Sequence, residues 1–290
     1  MAKKIIVFGG SGFLGSYVSD LLLQEGHEVT IFDLKPSAYI QSGQKMVVGD
    51  ILDRDQVMAA VEGKDIVYNF AGLADLDDAT TKPFETVTKN IIGTVNILDA
   101  AVSAKVKRFV FASTIYVYSS RGGFYRCSKQ AGEIYIEEYQ KRYGLDFTIL
   151  RYGSLYGPRA GVNNGIKRYL TQGLRDGKIT HFGTGEEVRE YIYIKDAARL
   201  TVDILSEDKA NQHLIITGHH PMKVSDLLKM INEILDNKVS VEYAPSSGSD
   251  HYDFTPYSFK PQIGSKLVSN LYMDMGQGFL ECLHDISNDK

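Results

Sequence analysis

Tyr125 and Lys129 are the two residues best suited, by type and spacing, to acid and base chemistry. They stand four apart at the start of a stretch with helical periodicity, so they would share one face of a helix. A neighbouring ammonium stabilises a phenolate and lowers the tyrosine pKa toward working pH. The pair is therefore predicted to move a proton on a sugar or alcohol hydroxyl.

A hydroxyl side chain precedes this pair, at the end of an apolar run. The run Lys107 to Ala112 is followed by Ser113 and Thr114, and ligands of α/β sheets lie at the carboxyl ends of strands. A hydroxyl there can bridge a substrate oxygen and Tyr125. The alternative is a surface tyrosine beside a solvated lysine, and the strand end before the pair favours the catalytic interpretation.

A glycine cluster near the start of the chain predicts a site for the phosphates of a dinucleotide. Gly9 suits a tight turn from strand to helix, Gly12 lets the main chain approach a pyrophosphate, and Gly15 lets helix and strand pack closely. The helix that begins near Gly12 would direct its free N–H groups and positive dipole end at the phosphates. The predicted cofactor contacts of this turn are Gly9, Gly12, Phe13 and Leu14.

The residue that closes the next apolar run indicates which dinucleotide is bound. Asp33 follows Glu28 to Phe32 and stands about 20 residues past the glycines, where an acid binds the ribose 2′-hydroxyl. Its carboxylate would repel a 2′-phosphate, so NAD is predicted as the cofactor. Lys35 is close enough in the chain to leave NADP as an alternative.

The elements that must position these residues alternate between apolar runs and amphipathic stretches. The strand-like runs are Lys45 to Val48, Asp65 to Phe70, Lys107 to Ala112 and Phe147 to Arg151. The alternation predicts an α/β fold with a Rossmann-type doubly wound parallel sheet. Helical periodicity is clearest from Phe84 to Ala104 and from Ser128 to Tyr143.

The alternation weakens after Tyr156-Gly157-Pro158, where glycines become frequent. We therefore predict an NAD-binding domain over residues 1–155, to which 189–210 return, and a smaller C-terminal substrate-binding lobe that takes most of 156–290. Residues 246–266 carry four aromatic residues, two prolines and little periodicity, which predicts an irregular segment. A final helix is predicted around 278–286.

Composition excludes several functional classes. The 290 residues suffice for one large α/β domain with an attached lobe. A net charge of −4 without a long basic run argues against nucleic-acid binding, and no run approaches the roughly 18 apolar residues of a membrane span. The N-terminus does not resemble a signal peptide, and Cys127 and Cys282 give no metal-ligand spacing and no disulfide framework. We expect a cytoplasmic protein without a metal, a nucleic-acid partner or a membrane partner.

These motifs, taken in order, resemble those of the extended short-chain dehydrogenase/reductases, and within them the NAD-dependent nucleotide-sugar epimerase/dehydratase family. The resemblance runs over nearly the whole chain. The matching motifs are Gly9 to Gly15, Gly49 to Ile51, Asn69 to Gly72, Asn90 to Leu98, Phe111 to Tyr118, Tyr125 to Lys129, Leu150 to Tyr152, Tyr156 to Arg159, Gly183 to Gly185 and Arg189 to Asp196.

The resemblance implies a role for each matching residue around the cofactor. Asp33 would hold the adenosine ribose, and Asp50 and Ile51 would contact the adenine. Ala71 and Gly72 would line the pyrophosphate and ribose side. The cofactor implied by the resemblance is NAD.

The resemblance also assigns the reacting end and the substrate. Thr114 would be the catalytic hydroxyl, Tyr125 the acid and base, and Lys129 the residue that holds the nicotinamide ribose and lowers the phenol pKa. Arg189 looks like the family's arginine for the substrate diphosphate, a role that suits a guanidinium fork. A surface ion pair with Glu186 or Glu190 is the alternative. Ser154 occupies the position where the family commonly has an asparagine that touches the substrate phosphate.

The residues after the catalytic hydroxyl separate the reactions of this family. The 4,6-dehydratases carry acidic residues there, the decarboxylases a glutamate where Tyr116 stands, and the 3,5-epimerase/reductases a cysteine where Ile115 stands. Neither residue can act as a carboxylate base, which leaves hydride transfer with one proton at a sugar carbon, taken here as C4.

A nucleotide-sugar 4-epimerase is therefore the preferred interpretation, with a nucleotide-sugar 4-dehydrogenase or 4-reductase as the first alternative. A non-catalytic NAD-sensing protein and a reductase of a small aldehyde or ketone are further alternatives. The connection Ser119 to Phe124 is shorter than the family's usual loop over the sugar. We therefore expect a more open site, or one shaped for a larger sugar.

The resemblance finally implies a homodimer, formed through the helices Phe84 to Ala104 and Tyr125 to Tyr143 as a four-helix bundle. The same apolar residues could instead cover the sheet, and the sequence does not separate these uses. The candidate face consists of Val87, Ile91, Val95, Tyr135 and Tyr139.

Overall fold

A computed structural model of the chain describes residues 2–245. The strands are β1 (Lys4–Phe8), β2 (Glu28–Asp33), β3 (Lys45–Val48), β4 (Ile66–Asn69), β5 (Arg108–Thr114), β6 (Phe147–Tyr152), β7 (Ser154–Tyr156), β8 (Lys178–Phe182), β9 (Val188–Tyr193), β10 (Gln212–Ile216), β11 (Pro221–Lys223) and β12 (Ser240–Ala244). The α-helices are α1 (Phe13–Gln24), α2 (Arg54–Val61), α3 (Leu76–Thr81), α4 (Pro83–Thr86), α5 (Gly93–Ser103), α6 (Gly123–Tyr143), α7 (Gly165–Asp176), α8 (Ile194–Asp203) and α9 (Val224–Ile234).

Seven strands form one parallel sheet in the order β3-β2-β1-β4-β5-β6-β10. The order reverses between β1 and β4, which is the point where α/β sheets open a crevice for ligands. The predicted fold class, a Rossmann-type doubly wound sheet, is confirmed.

The sheet is covered by helices on both faces, and β1 shows why its strands are apolar throughout. Ile5 and Val7 pack on one face with α1 and α8, whereas Ile6 and Phe8 pack on the other face with α2, α5 and α6. Alternate side chains of a strand point to opposite faces. A strand covered on both sides therefore reads as a continuous apolar run.

Two helical elements differ from their predicted form. The predicted helix Phe84 to Ala104 is divided into α4, a π-helical segment (Val87–Ile92) and α5. Helix α6 begins at Gly123, two residues ahead of Tyr125, where the sequence predicts its start, and Gly122 directly before it adopts a left-handed conformation (φ 94°).

The remaining strands build a smaller layer beside the main sheet. Strands β11, β9 and β7 form a three-stranded sheet, and β12 pairs with β8. Helices α7 and α9 enclose a separate apolar cluster that includes Tyr169, Ile179 and Leu228. This part of the chain contributes one wall of the site described below.

Residues beyond the predicted return segment 189–210 also contribute to the main sheet. Helix α8 packs against α1 through Ile194, Ala197 and Val202, and β10 then pairs with β6 as the seventh strand, which the sequence analysis did not predict. The predicted irregular segment, the final helix and Cys282 lie outside the described residues. Within residues 2–245 we find no helix with the length and apolar character of a membrane span.

Candidate active site

A cavity of about 530 Å³ lies at the carboxyl ends of the central strands. Every residue predicted to contact the cofactor lines it. These residues are Gly9, Gly12, Phe13, Leu14, Asp33, Asp50, Ile51, Ala71, Gly72, Tyr125 and Lys129. The topology brings them together because each follows or ends a strand of the parallel sheet, or begins the helix after it.

The glycine turn has no side chains at Gly9, Gly12 and Gly15 that would keep a diphosphate away from the main chain. Gly9 has a φ of 74°, and a Cβ there would lie 2.7 Å from the backbone nitrogen of Ala71. A Cβ on Gly15 would lie 2.3 Å from the Gly9 carbonyl oxygen. Among the described residues, no side chain caps α1 at Gly12, and its first turn holds no acid. The N–H groups and dipole at this helix end suit an anion, so this turn fits a dinucleotide.

The carboxylate of Asp33 stands at the end of β2 with its orientation fixed. The Ser11 N–H donates to Asp33 Oδ2 at 3.0 Å. At the next strand end, the Leu52 N–H donates to Asp50 Oδ1 at 2.9 Å. Ile51 packs so closely on Gly93 of α5 that a Cβ there would lie 2.5 Å from Ile51 Cδ1. This geometry fits a ribose diol beside Asp33 and a flat base beside Ile51.

Asn90 is a buried organising residue for which the sequence analysis assigned no role. It lies in the π-helical segment, where its Oδ1 accepts the Leu73 N–H at 2.6 Å. Its Nδ2 donates to the Leu73 carbonyl (3.0 Å) and to Ser128 Oγ (2.9 Å). It therefore ties the loop after β4, with Gly72, to α6. A π-turn inside a helix frequently marks a functional site, but helical periodicity does not reveal it.

Tyr125, Lys129 and Thr114 meet at the inner end of this cavity. The Lys129 Nζ donates to the Ala112 carbonyl oxygen at 2.8 Å and lies 5.8 Å from the Tyr125 ring centroid. Thr114 forms a side-chain hydrogen bond with the Tyr125 phenol. The structure thus places the three predicted catalytic side chains together.

The predicted lowering of the Tyr125 pKa by Lys129 is wrong for the protein alone. Burial raises the pKa of Tyr125 to about 12, and only the hydrogen bond with Thr114 opposes this rise. Burial also lowers the pKa of Lys129 to about 8, against the attraction of Glu133. The reason is that burial penalises a phenolate, while the ammonium hydrogen-bonds the Ala112 carbonyl.

A second cavity of about 920 Å³ adjoins the first. The predicted substrate residues Thr114, Ser154 and Arg189 all line it. Of the two glutamates considered as ion-pair partners for Arg189, Glu186 pairs with Lys223 at 2.6 Å. The residues shared by both cavities are Ala74, Thr114, Tyr125, Gly153 and Leu155.

The far wall of the second cavity holds a polar cluster that the sequence analysis missed. His181 Nδ1 lies 2.7 Å from the Tyr169 hydroxyl, and its Nε2 lies 3.1 Å from Glu187 Oε2. Burial acts to raise the Glu187 pKa, but the N–H groups of the 184–187 turn and the His181 ring outweigh it and hold this pKa at about 2. The partners lie 6 and 12 residues apart in sequence, a spacing that carries no helical or strand signal.

The short connection before α6 is fastened to that helix. Gln130 Nε2 donates to the Val117 carbonyl at 2.9 Å, and Arg126 Nη1 donates to the Ser119 carbonyl at 2.8 Å. The Tyr116 ring stands edge-on to Tyr125 with 6.5 Å between centroids. The Tyr125 ring therefore has an aromatic neighbour, Tyr116, where the dehydratases and decarboxylases would carry an acid.

Known proteins share both the sequence pattern and the fold. The sequence model of the NAD dependent epimerase/dehydratase family matches residues 5–217. A UDP-N-acetyl-alpha-D-glucosaminuronate decarboxylase of Bacillus cytotoxicus is 28% identical over 273 residues, covering 84% of this chain and 84% of that protein.

Two solved structures are similar at a TM-score of 0.80 and 26% identity. One is a UDP-glucose 4-epimerase of Thermotoga maritima with UDP-glucose, covering 88% of this chain and 90% of that one. The other is a mutant UDP-glucuronic acid 4-epimerase of Bacillus cereus with NAD and UDP-4-deoxy-4-fluoro-glucuronic acid, covering 87% and 89%. Because the family model spans most of the chain and the fold is shared, this protein belongs to the NAD-dependent epimerase/dehydratase family, extended short-chain dehydrogenase/reductases that bind NAD and act on nucleotide sugars.

Proposed function

We propose that this protein is a nucleotide-sugar 4-epimerase. The observation that carries the proposal is the junction of the two cavities at Thr114 and Tyr125. Of the described residues that line both cavities, Thr114 and Tyr125 carry polar side chains, so they can reach both a cofactor in the first cavity and a sugar in the second. None of the five residues that both cavities share is a carboxylate or a cysteine, so the junction supplies one proton-transfer group.

The chemistry follows from these side chains. Thr114 and Tyr125 would hold the sugar 4-hydroxyl, and Tyr125 would take its proton. Bound NAD would accept hydride from the sugar carbon and could return it. Lys129 would hold the nicotinamide ribose, and the hydrogen bond from Thr114 opposes the rise of the Tyr125 pKa that burial causes. Ile115 and Tyr116 offer no base for elimination or decarboxylation.

The size of the second cavity supports epimerisation over one-way oxidation. An epimerase must let the keto-sugar turn its other face to the cofactor before hydride returns. The cavity of about 920 Å³ lies beside a short connection held back against α6. Room for the sugar to turn is therefore available at the reacting end.

Arg189 and Ser154 would hold the substrate diphosphate in this cavity. A guanidinium fork matches phosphate oxygens well. The two solved 4-epimerases carry UDP-sugars, so UDP-glucose and UDP-glucuronic acid are the first substrates to test.

The exposed apolar residues of α4, the π-helical segment and α6 support a homodimer. Phe84 is 81% exposed and Ile134 is 66% exposed. Of the predicted face, Val87 and Tyr135 are also exposed, whereas Tyr139 hydrogen-bonds Asp99 at 2.5 Å and packs toward the core. We propose that the exposed members form the helix-bundle interface with a second copy.

The test is a panel of UDP-, GDP-, dTDP- and CDP-sugars, incubated with purified protein whose bound NAD has been quantified. Absorbance of reduced nicotinamide and the mass and stereochemistry of the sugar are followed together. A C4 isomer without net NADH supports the proposal. Lasting NADH with a keto-sugar supports the dehydrogenase instead, and silence from every sugar argues against the epimerase.

A further inference from the structure

A buried carboxylate lies directly behind the catalytic side chains. Glu133 follows Lys129 by about one turn of α6 and is 6% exposed. Arg151 on β6 donates to both of its oxygens, from Nη2 at 2.6 Å and from Nε at 3.1 Å. A buried ion pair adds little net stability over an apolar pair of similar volume. Packing alone therefore does not account for it.

The position of this ion pair shows what it holds in place. The Ser113 hydroxyl donates to Glu133 Oε1 at 2.5 Å, and Ser113 directly precedes Thr114 at the end of β5. On the other side of Ser113, the Ala112 carbonyl accepts the hydrogen bond of the Lys129 ammonium. Two consecutive residues of β5 are thus bound by two residues of α6.

Arg151 extends the network to the short helix that follows β5. Its Nη1 donates to the Tyr118 hydroxyl, and its guanidinium carbon lies 4.7 Å from the centre of that ring. Tyr118 ends the short 3-10 helix that begins directly after Thr114. Strands β5 and β6, helix α6 and this 3-10 helix therefore converge on the ion pair of Glu133 and Arg151.

We propose that Glu133 is a positioning residue for catalysis, which, together with Arg151, holds the end of β5 so that Thr114 stays in register with Tyr125 and Lys129. The proposal rests on the proposed chemistry at Thr114 and Tyr125. Glu133 itself lines neither cavity, so it acts through the residues that it holds.

The charges of the pair give the proposal an electrostatic signature. Lys129 is faced by Tyr125 and Glu133 from its own helix and by the Phe111 ring and the Ala112 carbonyl from β5. Glu133 raises the Lys129 pKa against burial. Without the carboxylate, Arg151 would be left as an uncompensated positive charge and would lower this pKa further. Without the guanidinium, the carboxylate alone would raise it.

The experiment compares Glu133→Gln with Arg151→Gln, and uses Glu138→Gln and Arg142→Gln as controls. The control pair likewise joins a glutamate to an arginine at 2.6 Å, but both of its members lie on α6 and are exposed. Carbon-13 NMR of ε-labelled lysine, assigned with Lys129→Arg, follows the titration of Lys129 without any substrate. Thermal unfolding and NADH fluorescence establish that each variant is folded and binds cofactor.

We expect Glu133→Gln to lower the Lys129 titration midpoint from near 8 by about one unit or more, and Arg151→Gln to raise it. The controls should leave it unchanged. With an active sugar, kcat of Glu133→Gln should fall about tenfold or more while the NAD KM stays within about twofold. Shifts in the same direction, or none, in folded variants would overturn the proposal.

Ser113→Ala provides a second, milder test. It removes the hydrogen bond to Glu133 and keeps both charges. Because Ser113 also lines the cofactor cavity, kcat should fall while the NAD KM and the Lys129 titration midpoint stay in place. Unchanged kcat would refute the positioning role. If the wild-type protein converts no sugar at all, the proposed function fails, but the opposite shifts of the two charge variants still decide the electrostatic part.

Discussion

The Ser11 N–H and the Asp33 carboxylate are joined across the glycine turn by a 3.0 Å hydrogen bond. This bond holds the Asp33 carboxylate, which would bind the adenosine ribose, against the glycine turn. The same turn would bind the diphosphate. The two parts of the cofactor site are therefore coupled, and a change of Asp33 can be designed to separate its charge from its hydrogen bond.

Asp33→Asn is expected to weaken the preference for NAD over NADP. The amide oxygen can still accept the Ser11 N–H, so the turn keeps its shape, whereas the charge that repels a 2′-phosphate is lost. NADPH affinity should rise about tenfold relative to NADH affinity. Binding curves of both reduced cofactors, followed by fluorescence, measure this ratio. Asp53→Asn is the control, because Asp53 does not line the cofactor cavity. An unchanged ratio would show that charge does not select the cofactor.

Tyr125→Phe is expected to remove turnover and leave cofactor binding intact. The variant keeps the ring but loses the proton-transfer group, and general acid and base catalysis contributes roughly 100-fold to 10,000-fold. Tyr143→Phe, at an exposed tyrosine that ends the same helix, is the matched control. Full biological activity of Tyr125→Phe in cells that depend on the protein would favour the sensing alternative. Full turnover in the sugar assay would instead show that Tyr125 is not the proton-transfer group.

Gly15→Ala is expected to destabilise the protein and abolish NAD binding. The new Cβ would lie 2.3 Å from the Gly9 carbonyl oxygen and 2.8 Å from Gly10 Cα, so the backbone turn must move. The unfolding free energy should fall by about 1–3 kcal/mol. Gly161→Ala is the control, because a Cβ there meets no atom within 4 Å. Equal melting curves for both variants would contradict this prediction.

Lys129→Met is expected to stabilise the fold below pH 8 while removing activity. Burial lowers the Lys129 pKa from 10.5 to about 8, so the unfolded chain binds this proton more tightly than the folded one. The cost is full below pH 8 and disappears as pH rises from 8 to 10.5, so the variant should gain about 3 kcal/mol at pH 7. Chemical unfolding at pH 7 and pH 10 measures the gap in unfolding free energy between the variant and the wild type. Lys141→Met, at an exposed lysine, is the control. A gap that does not shrink with pH would refute it.

Ile134→Glu is expected to convert a dimer into monomers. Its side chain is 66% exposed on the proposed interface of α6, and burying a carboxylate there is unfavourable. Light scattering after size-exclusion chromatography gives the mass directly. Met58→Glu, an exposed apolar site on α2, is the control. Dimers in both variants would place the interface elsewhere.

The main sheet could be predicted because a strand that is buried on both faces has a continuous apolar sequence. Runs such as Ile5 to Phe8 are fully buried and wholly apolar. The pairing of Tyr125 with Lys129 could also be predicted from the sequence, because helical spacing places the two residues on one face. Strand β10 was not predicted, since Gln212 and His213 begin a short run at the sheet edge, with exposed residues among its members.

Electrostatic detail depended on contacts that spacing does not encode. The direction in which the Tyr125 pKa shifts depends on burial and on the hydrogen bond that Lys129 makes with the Ala112 carbonyl. Asn90 lies in the π-helical segment and hydrogen-bonds Leu73 and Ser128, which lie on separate parts of the chain. Such relationships arise only when distant segments of the chain meet.

The pairing of β10 with β6 has a consequence for how the protein can be made. A fragment that stops at residue 155 would leave Phe147–Tyr152 as an open parallel edge and would strip α8 from the apolar side of α1. Exposed edges of this kind promote aggregation. On the ribosome, the sheet cannot be completed until residue 216 has emerged, after the strands of the smaller layer from β7 to β9 have been synthesised. The chain is therefore expected to fold late and as a whole, and truncation between the two parts should give insoluble material.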